Sequence, residues 1–253
     1  MAKAIFKEWF IDFGPVKAKA EGKKPYGMDD ETAALFPDCF EESELGLIPK
    51  GWRVGKLEEL ADVIGGGTPS TSEANNFCQP NTGISWLSPK DLSGYSWKYI
   101  SHGAIDITED GLKNSSARML PSGTVLFSSR APIGYIAISE NALCTNQGFK
   151  SLVPKNASNT EFLYYLMKSN VNFIESRASG STFKEISGNE MKLLPVIQPP
   201  VKLIEKFKNN VFTYSMFQKK LKHKTNSLIQ TRDLLLPKLI SGEIQLNDLP
   251  PIL

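Results

Sequence analysis

The sequence predicts an α+β fold, with a curved, mostly antiparallel sheet, helices packed on it and one long helix at the C-terminal end. Three observations predict it. Between Trp52 and Lys155, short apolar runs alternate with glycine, proline and serine turns, which is the rhythm of strands. From Glu161 to Ser176 the apolar residues recur at helical spacing, so helices follow the strands as a block. Beyond Pro199-Pro200 a helical pattern runs unbroken over residues 201–235.

In chain order, residues 2–13 place Ile5, Phe6, Trp9 and Phe10 near one helical face, and Gly14-Pro15 stops that helix. Residues 14–50 hold four prolines, many charges and a helical patch from Asp29 to Leu35. They read as a connector packed on the surface, with a flexible linker as the alternative. Ile84–Leu87, Thr124–Phe127, Gly134–Ile138 and Phe149–Val153 read as strands, separated by turns at Gly65–Pro69 and Pro121–Gly123. The helix of 161–176 buries Phe162, Leu163, Leu166 and Phe173. In the last helix Ile204, Phe207, Val211, Tyr214, Phe217, Leu221, Leu228 and Leu235 follow steps of three, four and seven. That near-heptad stripe predicts a coiled-coil-forming helix of roughly 50 Å, ended by Leu236-Pro237, with packing onto its own domain as the alternative. Three segments result: 1–50, helix and connector; 51–198, the strand-rich domain; and 199–253, the long helix and tail.

Composition narrows the function. The 253 residues are 41% hydrophobic and 22% charged with a net charge of +2, an ordinary globular balance that neither supports nor excludes nucleic acid. Three scattered cysteines without a CxxC or Cys/His cluster argue against a disulfide framework or a metal site, and place the chain in a reducing cytoplasm. No apolar run is long enough for a membrane span, and no secretion signal opens the chain. Phosphate-loop, dinucleotide-binding and zinc-protease motifs are missing. Gly65-Gly66-Gly67 lacks the lysine and helix that a phosphate cradle needs. Of the two histidines, His102 lies in a turn and His223 on the lysine-rich helix, neither beside a nucleophile. The expectation is therefore no catalytic residue, no cofactor and no metal.

What remains is a recurrent set of small polar and basic residues at strand ends. Thr68, Ser88, Lys90, Ser129, Arg130, Asn146, Gln147, Thr182 and Lys184 belong to it. Hydroxyls and amides bond phosphate oxygens, and Arg, Asn and Gln can address base edges with two hydrogen bonds, so the set is compatible with double-stranded DNA without being specific for it. Trp86 and Trp97 read as core residues, with stacking on an extruded base as the alternative.

Several segments, in this order, resemble the specificity subunits of type I restriction-modification systems. They are Ile48-Pro49-Lys50-Gly51-Trp52, Gly66 to Ser70, Leu120 to Leu126, Thr145 to Gly148, Gly180 to Ser187, and the Leu236 to Ile244 tail. The resemblance implies a target recognition domain that reads half of a split DNA target. It also implies long helices that set the spacing and bind methyltransferase subunits, the restriction subunit as a further partner, and no catalysis in the subunit itself. Those subunits usually carry two such units and this chain has one, so a half-length or C-terminal-half form is expected. Such a form would pair with a second copy through Ile204, Phe207, Val211, Tyr214, Phe217, Leu221 and Leu228. The alternative is a non-catalytic interaction protein that binds partner subunits through its helix without reading DNA.

Overall fold

The structure, a computed structural model, describes residues 1–180 and 184–244. The first helix, α1 (Ala2–Phe10), buries Phe6, Trp9 and Phe10, the face its spacing predicts. The helix stops at Phe10, short of the expected Gly14-Pro15, which instead starts the next helix. Phe13 turns into the left-handed region (φ 53°), and α2 (Gly14–Ala20) carries the proline in its first turn, where no amide partner is lost. Asp29 caps α3 (Asp30–Ala34), its carboxylate accepting from the Thr32 amide at 2.6 Å. A hairpin of β1 (Phe40–Ser43) and β2 (Gly46–Pro49) follows.

Next come β3 (Arg53–Lys56), β4 (Ala61–Gly65), β5 (Phe77–Cys78), β6 (Ile84–Leu87), β7 (Tyr99–Ile100) and β8 (Ile105–Ile107). After α4 (Glu109–Lys113) run β9 (Val125–Phe127), β10 (Ile136–Ser139), β11 (Cys144–Thr145) and β12 (Lys150–Pro154). The helices α5 (Asn159–Ser169), α6 (Val171–Ser176) and α7 (Gly188–Lys192) lead to β13 (Pro195–Gln198) and α8 (Val201–Ile240). One sheet has the order β4-β12-β9-β10-β7 and a second the order β11-β6-β8-β5. Among the described strand pairs only β7–β10 and β6–β11 are parallel, so the expected mostly antiparallel α+β architecture is found, divided among separate sheets. β13 pairs antiparallel with β3, Val196 opposite Gly55, which returns the end of the strand-rich region to its beginning.

The N-terminal segment does more than lie on the surface. Phe6 sits 5.6 Å from both Phe162 of α5 and Phe207 of α8, and Phe10 sits 5.1 and 5.3 Å from the same rings. Trp9, Phe36, Ile48 and Trp52 are buried in the same core. Each such side chain contributes roughly 1.5–3 kcal/mol of hydrophobic stabilisation. The expected single helix of 161–176 is two helices. The Asn170 side chain donates to the Leu166 carbonyl at 2.8 Å and ends α5, which leaves Phe173 partly exposed beneath the Arg177 guanidinium.

Met1–Phe212 forms one compact unit, and the remaining residues, starting at Thr213, form a second. In the first, Leu203, Ile204, Phe207 and Val211 of α8 are core residues. In the second, α8 does not end at Leu236-Pro237 but includes Pro237 near its end and stops at Ile240. A proline so close to the end removes one amide from a stub that is terminated within a turn, where Gly242 adopts φ 76°.

One buried ion pair fastens β7 to α5. Lys98 bonds Glu161, with side chains only 4% and 10% exposed, and Tyr99 donates its hydroxyl to the other Glu161 oxygen at 2.8 Å. The Lys98 ammonium also lies 4.8–5.5 Å from the ring centroids of Tyr99, Tyr164 and Tyr165. Burial pulls Lys98 below its ordinary value and Glu161 pulls it back up. Glu161→Gln should therefore cost about 3–5 kcal/mol in urea unfolding. Because burial holds the folded-state value of Lys98 below the unfolded one, part of that loss should return as pH rises toward the ordinary lysine value and the ammonium loses its proton. A variant as stable as the parent at neutral pH would show that the pair does not hold the core.

Candidate nucleic-acid interface

The strand ends meet at the loop Thr145–Gly148. Where the loop backbone is buried, at Thr145 and Gly148, its polar groups need partners, and neighbouring segments supply several of them. Gly67 donates its amide to the Thr145 carbonyl at 2.8 Å, and Asn146 donates its amide to the Leu87 carbonyl at 2.8 Å. Ser129 donates both its amide (2.8 Å) and its hydroxyl (3.1 Å) to the Gly148 carbonyl. Segments after β4, β6 and β9 are thereby fixed to the one after β11. Glycine is required where they touch: a Cβ on Gly66 would lie 2.1 Å from the Asn146 carbonyl oxygen, and one on Gly67 would lie 2.4 Å from the Ala117 nitrogen. Beneath them the Trp86 indole donates to the Gly67 carbonyl at 3.0 Å.

The loop carries Asn146 and Gln147 of the residues the sequence singled out, and Thr68, Ser88, Ser129 and Arg130 stand on the segments around it. The Thr68 hydroxyl bonds the side-chain oxygen of Gln147, which is otherwise exposed. The Asn146 side-chain oxygen accepts from the Gly148 amide at 2.9 Å, shaping the turn. Ser88 donates its amide and hydroxyl to Asp91 at 2.7 and 2.8 Å, capping the 3-10 turn Pro89–Leu92 on which Lys90 is exposed. That turn abuts the loop, since a Cβ on Gly148 would lie 2.8 Å from Pro89 Cγ. Arg130 stands on the β9–β10 connection. Ser128 closes that connection: its hydroxyl donates to the Pro132 carbonyl and accepts from the Tyr135 amide, both at 2.8 Å. Lys184 is exposed, whereas Thr182 lies outside the described residues.

Two placements differ from the sequence reading. Ser129 is fully buried and its hydroxyl serves the Gly148 carbonyl, so it holds the loop and cannot itself reach a ligand. Ile204, Phe207 and Val211 are buried in the chain's own core and are not available to a partner helix, whereas Tyr214, Phe217, Leu221 and Leu228 are exposed. Trp86 is a buried core residue and Trp97 is half-buried. Sequence reasoning missed Lys150 and Glu185. Lys150 donates to Glu185 at 3.1 Å, and Arg130 reaches the other Glu185 oxygen at 3.4 Å. The signal was a lone lysine in an otherwise apolar strand and a glutamate within the Gly180–Ser187 segment. Burial pushes the Cys144 thiol up to about 11, leaving it protonated at neutral pH. Among the described residues, no cluster of His, Cys, Asp and Glu is placed to hold a metal ion, and no helix is long and apolar enough to cross a membrane.

The domain is a mostly antiparallel α+β fold with hydroxyl, amide and cationic groups at its strand ends. Residues 49–206 match the type I restriction modification DNA specificity domain, and the chain belongs to that family. It is 43% identical over 162 residues to the type I restriction enzyme MjaIX specificity subunit of Methanocaldococcus jannaschii, covering 63% of this chain and 37% of that one. With the type I restriction enzyme HindI specificity subunit of Haemophilus influenzae it shares 27% identity over 287 residues, covering 96% of this chain and 61% of the relative. The chain thus spans less than two thirds of the length of these relatives, both of which are named specificity subunits. Its fold resembles the HsdS subunit from Thermoanaerobacter tengcongensis, with a TM-score of 0.51 and 19% identity, covering 96% of this chain and 57% of that one.

If Gly66 is needed for the close approach to the loop, Gly66→Ala should cost about 1–3 kcal/mol in urea unfolding. Hydrogen exchange at the Asn146 amide should quicken as its bond to Leu87 is displaced. An unchanged exchange rate would mean that the loop does not depend on this glycine.

Proposed function

We propose that this chain is a non-catalytic specificity subunit that reads one DNA half-site through residues 51–198 and docks methyltransferase subunits through residues 199–253. In this reading residues 1–50 connect and brace the two. The observation that carries it is the convergence of Thr68, Ser88, Lys90, Arg130, Asn146 and Gln147 around the Thr145–Gly148 loop, with Lys184 on the adjoining segment. Lys90 and Lys184 suit phosphate oxygens, and Arg130 and the side-chain amides of Asn146 and Gln147 suit base edges, while Thr68 and Ser88, whose hydroxyls bond Gln147 and Asp91, brace the loop. Restriction subunits would be further partners of the assembled complex, and the setting would be the cytoplasm.

Binding measured over a salt series tests it. Affinity should fall steeply with salt as counterions return to the phosphates. Lys90→Ala and Lys184→Ala should each lower the salt slope by about one and weaken all duplexes alike. Arg130→Ala should cost about 1–3 kcal/mol on the preferred duplex only. Affinity that is indifferent to salt would favour the second reading, an interaction protein that does not read DNA.

The exposed stripe of α8 supports self-association. Tyr214, Phe217, Leu221, Leu228 and Leu235 are 41%, 60%, 41%, 61% and 38% exposed, at the spacing a coiled-coil seam requires. Two copies paired through this seam would be related by a twofold axis and would read two identical half-sites in inverted orientation. In sedimentation at micromolar concentration the parent should be a dimer, and Phe217→Asp with Leu228→Asp should be a monomer. A monomeric parent would remove both the dimer and the inverted target.

A further inference from the structure

We propose that Glu185 and Lys150 are a positioning pair that aims Arg130 at a guanine edge in the DNA duplex. The inference rests on the DNA-reading function proposed above. Glu185 is held from two sides by its own backbone. It exchanges hydrogen bonds with Ser179, at 2.9 Å from its amide and 3.1 Å to its carbonyl, and the neighbouring Ile186 amide donates to the Ser129 carbonyl at 3.1 Å. The backbone that carries the carboxylate is therefore anchored, and its two oxygens meet two cations. One oxygen accepts from Lys150 at 3.1 Å and lies 3.5 Å from the Ser129 hydroxyl; the other meets Arg130 Nη1 at 3.4 Å.

Charge and exposure divide the roles. The Lys150 side chain is 15% exposed, so its ammonium faces inward and neutralises Glu185. Arg130 is 38% exposed and keeps a net positive charge beside a neutralised pair. A guanidinium has five N–H donors in a rigid fork, and one of them reaches Glu185, so the fork is oriented without being exhausted. Such a fork is the group that bonds guanine O6 and N7 together. Without Lys150, Glu185 would hold Arg130 more strongly and cancel the charge that attracts the duplex. Without Glu185, the fork would lose its orientation and keep its charge.

A salt bridge of purely structural value predicts a different result, and selection from a pool of random duplexes separates the two. The parent and the variants Glu185→Gln, Lys150→Met and Arg130→Lys are each compared for the sequence they enrich, affinity for the unselected pool, salt slope and melting temperature. Glu185→Gln should bind the unselected pool at least as tightly as the parent. It should lose guanine preference at one position, with the ratio of preferred to unselected affinity falling about tenfold. Arg130→Lys keeps the charge but not the fork, and should show the same loss of preference. In combination the two changes should cost no more than either alone. Lys150→Met should keep the parent's preference, weaken both affinities and lower the salt slope by about one. Unchanged preference in Glu185→Gln overturns the proposal. So does unchanged preference in Arg130→Lys, which tests it even if Glu185→Gln fails to fold. A parent that enriches no sequence overturns the DNA-reading function, and this inference with it.

Discussion

The structure depends on how the backbone of one loop is satisfied. Thr145–Gly148 leaves the β6–β11 pairing at Thr145, and where its backbone is buried, at Thr145 and Gly148, leaving polar groups unpaired would cost more than the contacts they displace. They are matched by Gly67, Leu87 and Ser129, which come from three other strand ends. That mutual pairing makes a rigid platform of irregular segments. It brings Thr68 to Gln147 across 79 positions of sequence. Close approach explains the glycines and burial explains Ser129: the residues that build the platform are small, and those displayed on it are long.

A second constraint acts in the aromatic core. Phe6 and Phe10 each lie within about 6 Å of both Phe162 and Phe207, so α1, α5 and the first turns of α8 share one cluster. The apolar stripe of α8 therefore has one period and two roles. Up to Val211 it is consumed by the chain's own core; from Tyr214 onward its members are exposed. Periodicity alone cannot mark that change, because burial is decided by what the rest of the chain brings to the helix.

Much of the fold was legible for a physical reason. β6, β9, β10 and β12 are short apolar runs bounded by turn residues, and α1 and α3 carry a clear face or a clear cap. The partition into separate sheets was not legible, since it follows from pairings between distant strands. Asn170 ends α5 through a side-chain bond that an apolar pattern does not report. In the candidate site the residue types were legible and their depth was not. Ser129 and Arg130 are neighbours in sequence, yet one is sealed beneath the Gly148 carbonyl and the other is open. Lys150 and Glu185 stand 35 positions apart, so their pairing exists only in the folded chain.

The chain treats two of its cations in opposite ways, and the contrast bears on recognition. Lys98 is enclosed by Glu161 and tyrosine rings, with little exposed surface, so its charge is committed to holding β7 against α5. Arg130 meets its carboxylate at a longer 3.4 Å, and that carboxylate is shared with Lys150. A buried cation with a full set of partners rigidifies and binds nothing further. A half-exposed one sharing its anion keeps donors for a ligand while its direction is constrained. Recognition needs the second arrangement: a group wholly satisfied by its own protein gains nothing from a base edge, and a wholly unrestrained one must be ordered at the moment of binding.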